Sequence, residues 1–404
     1  MAETFGHVLR SVREAAGLSL AGLAARTNYH KSEIGYVETG KRRASVDLAT
    51  ACDHVLGTFP LLSTVVEMDE EQGDQVKRRA LLEIITATVG AFGIGSASAL
   101  ANIVRHGLLD SVDAVEDWDA VVEDFSRRLV TDPSPAYGEA LLAQLMVARQ
   151  QNVNLGATAD RMRSVAQLSQ FYGLWLGNRG DVASARGWYR SAAMVADRSG
   201  DSLTRIFVRG RALSRGIYES YTARETIEGV EVALDITRKP CLGALEAYSA
   251  LVHVHGLTED LRSGRTAVDN MQRVTDQLPD SETRKVAGPV ERTASFRNYL
   301  ECRVGSRRDA DRAFAEADPM LRPVPVWHAD AKVYYARALV KDGDVAGGAD
   351  LALEAAKGFG QDVRTIGVGV RDVLSVIPKG YHSDRLEELK LYAAVGPTPW
   401  ETIS

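Results

Sequence analysis

The stretch Ser19–Arg43, SLAGLAARTNYHKSEIGYVETGKRR, decides how the rest of the chain is read. Ser19 suits a helix N-cap, because its hydroxyl can accept from the amides left unpaired at a helix start, and Leu20, Leu23 and Ala24 follow at helical spacing. The series breaks at Thr27-Asn28. Asparagine is one of the few non-glycine residues that tolerates the left-handed conformation of a sharp turn. A second apolar series, Tyr29, Ile34 and Val37, predicts a second short helix whose outer face carries His30, Lys31, Ser32, Gly35 and Tyr36. Gly40 suits the C-cap, and Lys41, Arg42 and Arg43 follow at once.

Small polar and basic groups are what a DNA major groove accepts. Lys31 and Ser32 stand at the start of the second helix and Tyr36 one turn further on, positions from which side chains reach base edges. Lys31 suits guanine acceptors, and Tyr36 a thymine methyl or a phosphate. His30, Thr39, Lys41, Arg42 and Arg43 are expected on phosphates, where they position without reading sequence. The plainer alternative is a solvated helix face. Upstream, Phe5, Leu9, Val12 and Ala16 form one stripe of a helix that ends at Gly17; downstream, Ser45 caps a helix with Leu48, Ala51, Cys52 and Val55 facing inward. Gly57 stops that helix, and Phe59 to Val66 supply a last short one.

Leu23-Ala24, Ile34, Val37-Glu38 and Gly40-Lys41-Arg42 together resemble the lambdoid-repressor (XRE/Cro-type) helix-turn-helix domain, a five-helix DNA-binding module, over about the first 66 residues. The resemblance implies that Arg13 pairs with Glu38 at the end of the reading helix. It also marks departures: Leu20 stands where that family usually has a phosphate-touching Gln, Asn28 replaces a Gly, His30 a Ser or Thr, and Gly35 a more polar residue.

At 404 residues and 45% apolar content the chain exceeds one ordinary core. Ala, Leu and Arg are among the commonest residues and strict alternation is scarce, so the expected class is all-α. Cys52, Cys241 and Cys302 read as free thiols in a reducing compartment, and no N-terminal signal peptide is visible, so a cytoplasmic location is expected. A net charge of −6 argues against general nucleic-acid coating. Placement matters more: residues 1–68 carry seven cations and seven acids, yet four of the cations fall between positions 31 and 43.

The expected organisation is a helix-turn-helix domain over 1–66, a linker over 67–80, a helical connector and candidate dimerisation segment over 81–160, and a helical repeat over 161–404. Met68–Gln75 is acidic and polar, with almost nothing to bury. Residues 84–101 carry no charge, which meets the bare length of a membrane span behind Lys77-Arg78-Arg79, but interspersed Thr, Gly, Ser and Ala make a buried connecting helix the better reading. Around 110–150 two helices flank Pro133 and Pro135. Further on, Gly180-Asp-Val-Ala183 recurs as Gly343-Asp-Val-Ala346, 163 residues later, or about four periods of 41. Intermediate turns are placed near Thr222, Gly264 and Gly305, giving five helix pairs, with a polar capping helix over Ser383–Leu391. Such pairs resemble the tetratricopeptide repeat, which implies an α-solenoid with a concave binding surface.

No catalytic set is present: no phosphate-binding glycine loop, no His-Glu-x-x-His zinc motif and no nucleophile elbow, so neither enzyme activity, a cofactor nor a metal is expected. Gly367-Val-Gly-Val370 reads as a loop or helix break, His253 and His255 as packing or surface groups, and the tryptophans as core. The combination resembles actinobacterial-type repressor-fold regulators with a C-terminal helical-repeat sensor. That resemblance implies a homodimer on a palindromic double-stranded operator, modulated by a peptide or small effector in the repeat groove. Arg209, Tyr218, Tyr248, His255, Asn298, Arg303 and Tyr334 are the candidate groove residues. Rival readings are a membrane-anchored regulator and a repeat-type interaction scaffold with a weak DNA-binding domain.

Overall fold

A computed structural model describes residues 4–56, 58, 61–70, 117–131, 134–283, 287–359 and 363–394. All regular structure among them is helical, in line with the composition. The stretch 77–104 lies outside these residues; among those described, no helix is long and apolar enough to cross a membrane. The chain divides into two compact units, Met1–Asp117 with Pro135–Ala157, and Trp118–Ser134 with Thr158–Ser404. Residues 81–160, read from sequence as one connector, therefore fall in both.

In the first unit α1 (Phe5–Ala15), α2 (Leu20–Thr27), α3 (Lys31–Glu38), α4 (Val46–Leu56) and α5 (Leu61–Glu70) surround Val8, Leu9, Val12, Leu23, Ile34, Val37 and Cys52, all of them buried. Thr4 caps α1 and Ser19 caps α2, each accepting from the amide three residues on. Asn28 closes α2 with φ 58°. Helices α1 and α3 touch at Gly6, where a Cβ would lie 2.2 Å from the Val37 carbonyl oxygen. Asp53 is fully buried and holds the start of α5: it accepts from the Leu62 and Ser63 amides, both at 2.9 Å, and from the Thr58 and Ser63 hydroxyls. Helix α5 runs to Glu70, so the polar stretch expected to start a linker at Met68 is still helical at its beginning. Helix α7 (Pro135–Leu155) also belongs to this unit.

The second unit opens with α6 (Trp118–Thr131) and continues as helix hairpins: α8 (Ala159–Asn178) with α9 (Val182–Ser199), α10 (Ser202–Gly216) with α11 (Ala223–Leu234), and α12 (Leu242–Leu257) with α13 (Leu261–Gln277). After a one-turn helix at Asp280–Thr283 come α14 (Pro289–Val304) with α15 (Arg307–Leu321), α16 (Pro325–Lys341) with α17 (Val345–Lys357), and α18 (Arg364–Val376) with α19 (Asp384–Lys390). Among the described residues six helix pairs stand where five were expected, because α18 and the capping helix α19 make one more.

The recurring Gly-Asp-Val-Ala is a hairpin turn. Gly180 and Gly343 have φ of 86° and 99°, and Asp181 and Asp344 then cap α9 and α17 through the Ser184 and Gly347 amides. Two sequence expectations fail here. Gly264 is not a turn but a buried residue of α13, where a Cβ would lie 2.5 Å from Leu300; the turn is made by Glu259, at φ 58°, and the cap Asp260. Gly367-Val-Gly-Val370 is not a break either, since it lies inside α18, where Gly369 leaves room for Val333.

The first helices of successive hairpins, α8, α10, α12, α14, α16 and α18, pack in sequence, and α18 also meets α8. The series closes on itself, with α6 against α8 and α16.

Candidate nucleic-acid interface and internal cavity

Helix α3 buries Ile34 and Val37 and leaves Lys31, Ser32 and Tyr36 in solvent. Tyr36 is 52% exposed, which is unusual for a large aromatic side chain with no partner to cover it. The chain leaves α3 through Gly40 at φ 70°, with the Lys41 amide reaching back to the Tyr36 carbonyl at 2.8 Å. That closure brings Lys41, Arg42 and Arg43 beside the end of the helix, all exposed. Lys31, Lys41 and Arg43 make no ion pair among the described residues, whereas Arg42 Nη1 lies 3.0 Å from Glu33 Oε1.

His30 precedes α3 without capping it through its side chain; its Nδ1 is 2.8 Å from Ser32 Oγ. Thr39 Oγ1 donates to the Gly35 carbonyl at 2.8 Å. A phosphate offers only acceptors, so a phosphate contact from Thr39 requires that bond to be released.

Beneath this face Arg13 and Glu38 meet in a two-pronged pair, Nε to Oε1 at 2.6 Å and Nη2 to Oε2 at 2.9 Å, while Arg13 Nη1 donates to the Leu18 carbonyl at 2.8 Å. The hydrogen bond that Arg13 donates to Glu38 raises the Arg13 pKa above its ordinary value, and both side chains are over nine-tenths buried. The pair ties α1 to the end of α3 and is largely withdrawn from solvent, which suits a folding role.

Residues 4–62 match the helix-turn-helix domain family. No curated protein and no solved structure matches the chain. The helix-turn-helix domain supports a DNA-binding regulator.

In the second unit the inner helices line a cavity of about 80 Å³. Of the seven residues proposed from sequence for a groove, Tyr218 and Tyr334 line it, their hydroxyls 3.1 Å apart. The other five do not. Arg209 pairs with Asp197, and Tyr248 packs into the neighbouring apolar core. His255 lies 3.9 Å from Asp260. Asn298 is fully buried and donates to the Ala331 carbonyl, and Arg303 is held by the Gly256 carbonyl and Asp372.

The polar side of the cavity comes from residues that sequence reasoning passed over. Arg211 and Arg292 converge on Glu246; Arg292 also donates to Ser214 Oγ at 2.8 Å and lies over the Phe296 and Trp327 rings. Burial works against the Glu246 carboxylate, but the two guanidinium groups bring its pKa below the usual range. Arg215 pairs with the buried Glu219. Burial pushes the His253 imidazole down to about 3, so the ring is neutral and its Nδ1–H donates to the Ser214 carbonyl at 3.0 Å. Asp330 lies opposite in kind: burial pushes its carboxyl up to about 7, against the pull of Thr365, Arg215 and Arg292.

A signal for these residues was present. Arg211, Arg215 and Tyr218 on one segment, Arg292, Phe296 and Tyr299 on another, and Trp327, Asp330 and Tyr334 on a third all step by three and four, which puts charge and ring on one helix face.

Proposed function

We propose that this protein is a sequence-selective DNA-binding regulator that reads base edges in the major groove with Lys31, Ser32 and Tyr36. His30, Thr39, Lys41, Arg42 and Arg43 contact the flanking phosphates. The observation that carries this reading is α3 itself: one side is sealed in the core while the other presents a lysine, a serine and an unburied tyrosine beside a cationic exit loop. One such module contacts too little DNA for high affinity, so the protein acts as a homodimer on a palindromic operator, with half-sites about one helical turn apart. The repeat region carries the effector, held in the cavity of the second unit, and occupancy there changes how DNA is bound.

The test uses the full chain and two duplexes of equal length, its own upstream region and a scrambled version, at moderate salt. Selective retardation of the native duplex is the expected result. Identical binding to both overturns the proposal.

A further inference from the structure

The cavity in the second unit holds an imbalance that its own side chains do not resolve. Asp330 is 8% exposed, and its Oδ2 accepts from Thr365 at 3.3 Å, yet its Oδ1 is buried without a partner. Arg211 Nε and Arg292 Nε are likewise buried without hydrogen-bond acceptors. All three residues line the same space. A buried polar atom left unmet is costly, and here one carboxyl oxygen and two guanidinium N–H donors are left unmet together.

Charge narrows the chemistry. Arg211 and Arg292 stand against Glu246 and Arg215 against Glu219, His253 is neutral, and the Asp330 carboxyl, pushed up to about 7 by burial, ionises near neutrality, where an ammonium beside it holds it ionised. A ligand that is only a cation meets the Asp330 oxygen and leaves the arginine N–H groups unmet, and one that is only an anion does the reverse; a zwitterion meets both. Size narrows it further: since one water needs about 10–15 Å³ of such space, 80 Å³ takes roughly five to eight non-hydrogen atoms. Even a dipeptide exceeds that.

We propose that this cavity binds a small aminocarboxylic zwitterion, its ammonium on Asp330 Oδ1 and its carboxylate on the unmet N–H groups of Arg211 and Arg292. The proposal deepens the effector reading by naming the ligand class and rests on it only for the consequence at DNA.

Calorimetric titration of the full-length protein with glycine, alanine, serine, β-alanine and γ-aminobutyrate tests it. At least one of these is expected to bind. For that ligand, the N-acetyl derivative, the methyl ester and the Asp330→Asn variant are each expected to weaken binding about tenfold or more. Two results overturn the proposal: no member of the panel binds at millimolar concentration, as for a cavity that holds water alone, or binding is unaffected by both N-acetylation and Asp330→Asn. The DNA readout is a separate arm. A zwitterion that binds but leaves operator affinity unchanged removes the effector role and leaves the site.

Discussion

Glu33 of α3 holds Arg42 of the exit loop at 3.0 Å, so a cation of the proposed phosphate-contacting set is paired with an acid of the helix it follows. Arg42 is 60% exposed, and an ion pair of that kind contributes little to stability. Its effect falls on binding instead. Glu33→Gln frees the guanidinium and removes a negative charge from the DNA-facing side, so tighter binding to any duplex and a salt slope steeper by up to about 1 are expected. Fluorescence anisotropy across a salt series measures both. An unchanged slope places Arg42 away from the phosphates.

Lys31 and the pair Lys41 and Arg43 are expected to fail in different ways. Lys31→Ala removes the proposed base contact, so competition within a randomised duplex pool should show altered preference, at about 1–3 kcal/mol for the affected position. Lys41→Ala or Arg43→Ala should weaken every duplex alike and lower the salt slope by about 1 each. Uniform loss with Lys31→Ala counts against its assignment to bases.

The helix-turn-helix region was legible because its signals are local: caps, a turn asparagine and apolar periodicity all lie within a few residues of what they determine. Even the departures at Leu20 and Gly35 have one structural cause, since a Cβ on Gly35 would stand 3.2 Å from Leu20 Cδ2, and the small residue makes room for the larger. Asp53 was missed because it looks like any helix-surface acid until α5 is seen to place its amides on it. In the repeats, glycine misled: Glu259 makes the turn that Gly264 was expected to make, and a charged residue at positive φ gives no signal in composition. The cavity was not read because its residues come from helices far apart in the chain, from α6 and α8 through α10, α12, α14 and α16 to α18, and only the packing of α18 onto α8 brings those separate faces around one space.

Breaking the Arg13–Glu38 pair should loosen the helix-turn-helix domain without touching its DNA-facing residues. Glu38→Ala leaves a buried guanidinium with only the Leu18 carbonyl and Glu14 near it, a loss of about 3–5 kcal/mol. Replacing both partners, Arg13→Met with Glu38→Leu, is expected to recover most of that, because no charge is then left unpaired. Hydrogen exchange on the full chain reads the result locally: amides of α1–α3 lose protection in Glu38→Ala while those of α16 keep theirs. Equal protection in parent and single variant shows that the pair does not hold the fold.

Asp330 and His253 line one cavity and shift in opposite directions, which separates their effects on stability with pH. The Asp330 carboxyl is at about 7 in the folded protein against an ordinary 3.8, so the folded state keeps a proton that the unfolded chain releases. Stability from this group is therefore full at low pH, declines as pH rises through 4 to 7, and is flat above. His253, at about 3 against 6.5, stays neutral where the unfolded chain binds a proton, so its contribution rises with pH up to about 6.5. The two partly cancel between pH 4 and 6.5. Asp330→Asn removes one and leaves the other, so it should stabilise the second unit little near pH 4 and increasingly to pH 8, by on the order of 4 kcal/mol at most. Tryptophan fluorescence during thermal unfolding reports this unit, because all five tryptophans lie at or beyond Trp118 and none lies in the helix-turn-helix domain. A melting-temperature difference between variant and parent that is the same at pH 5 and pH 8 contradicts a protonated Asp330 in the folded protein.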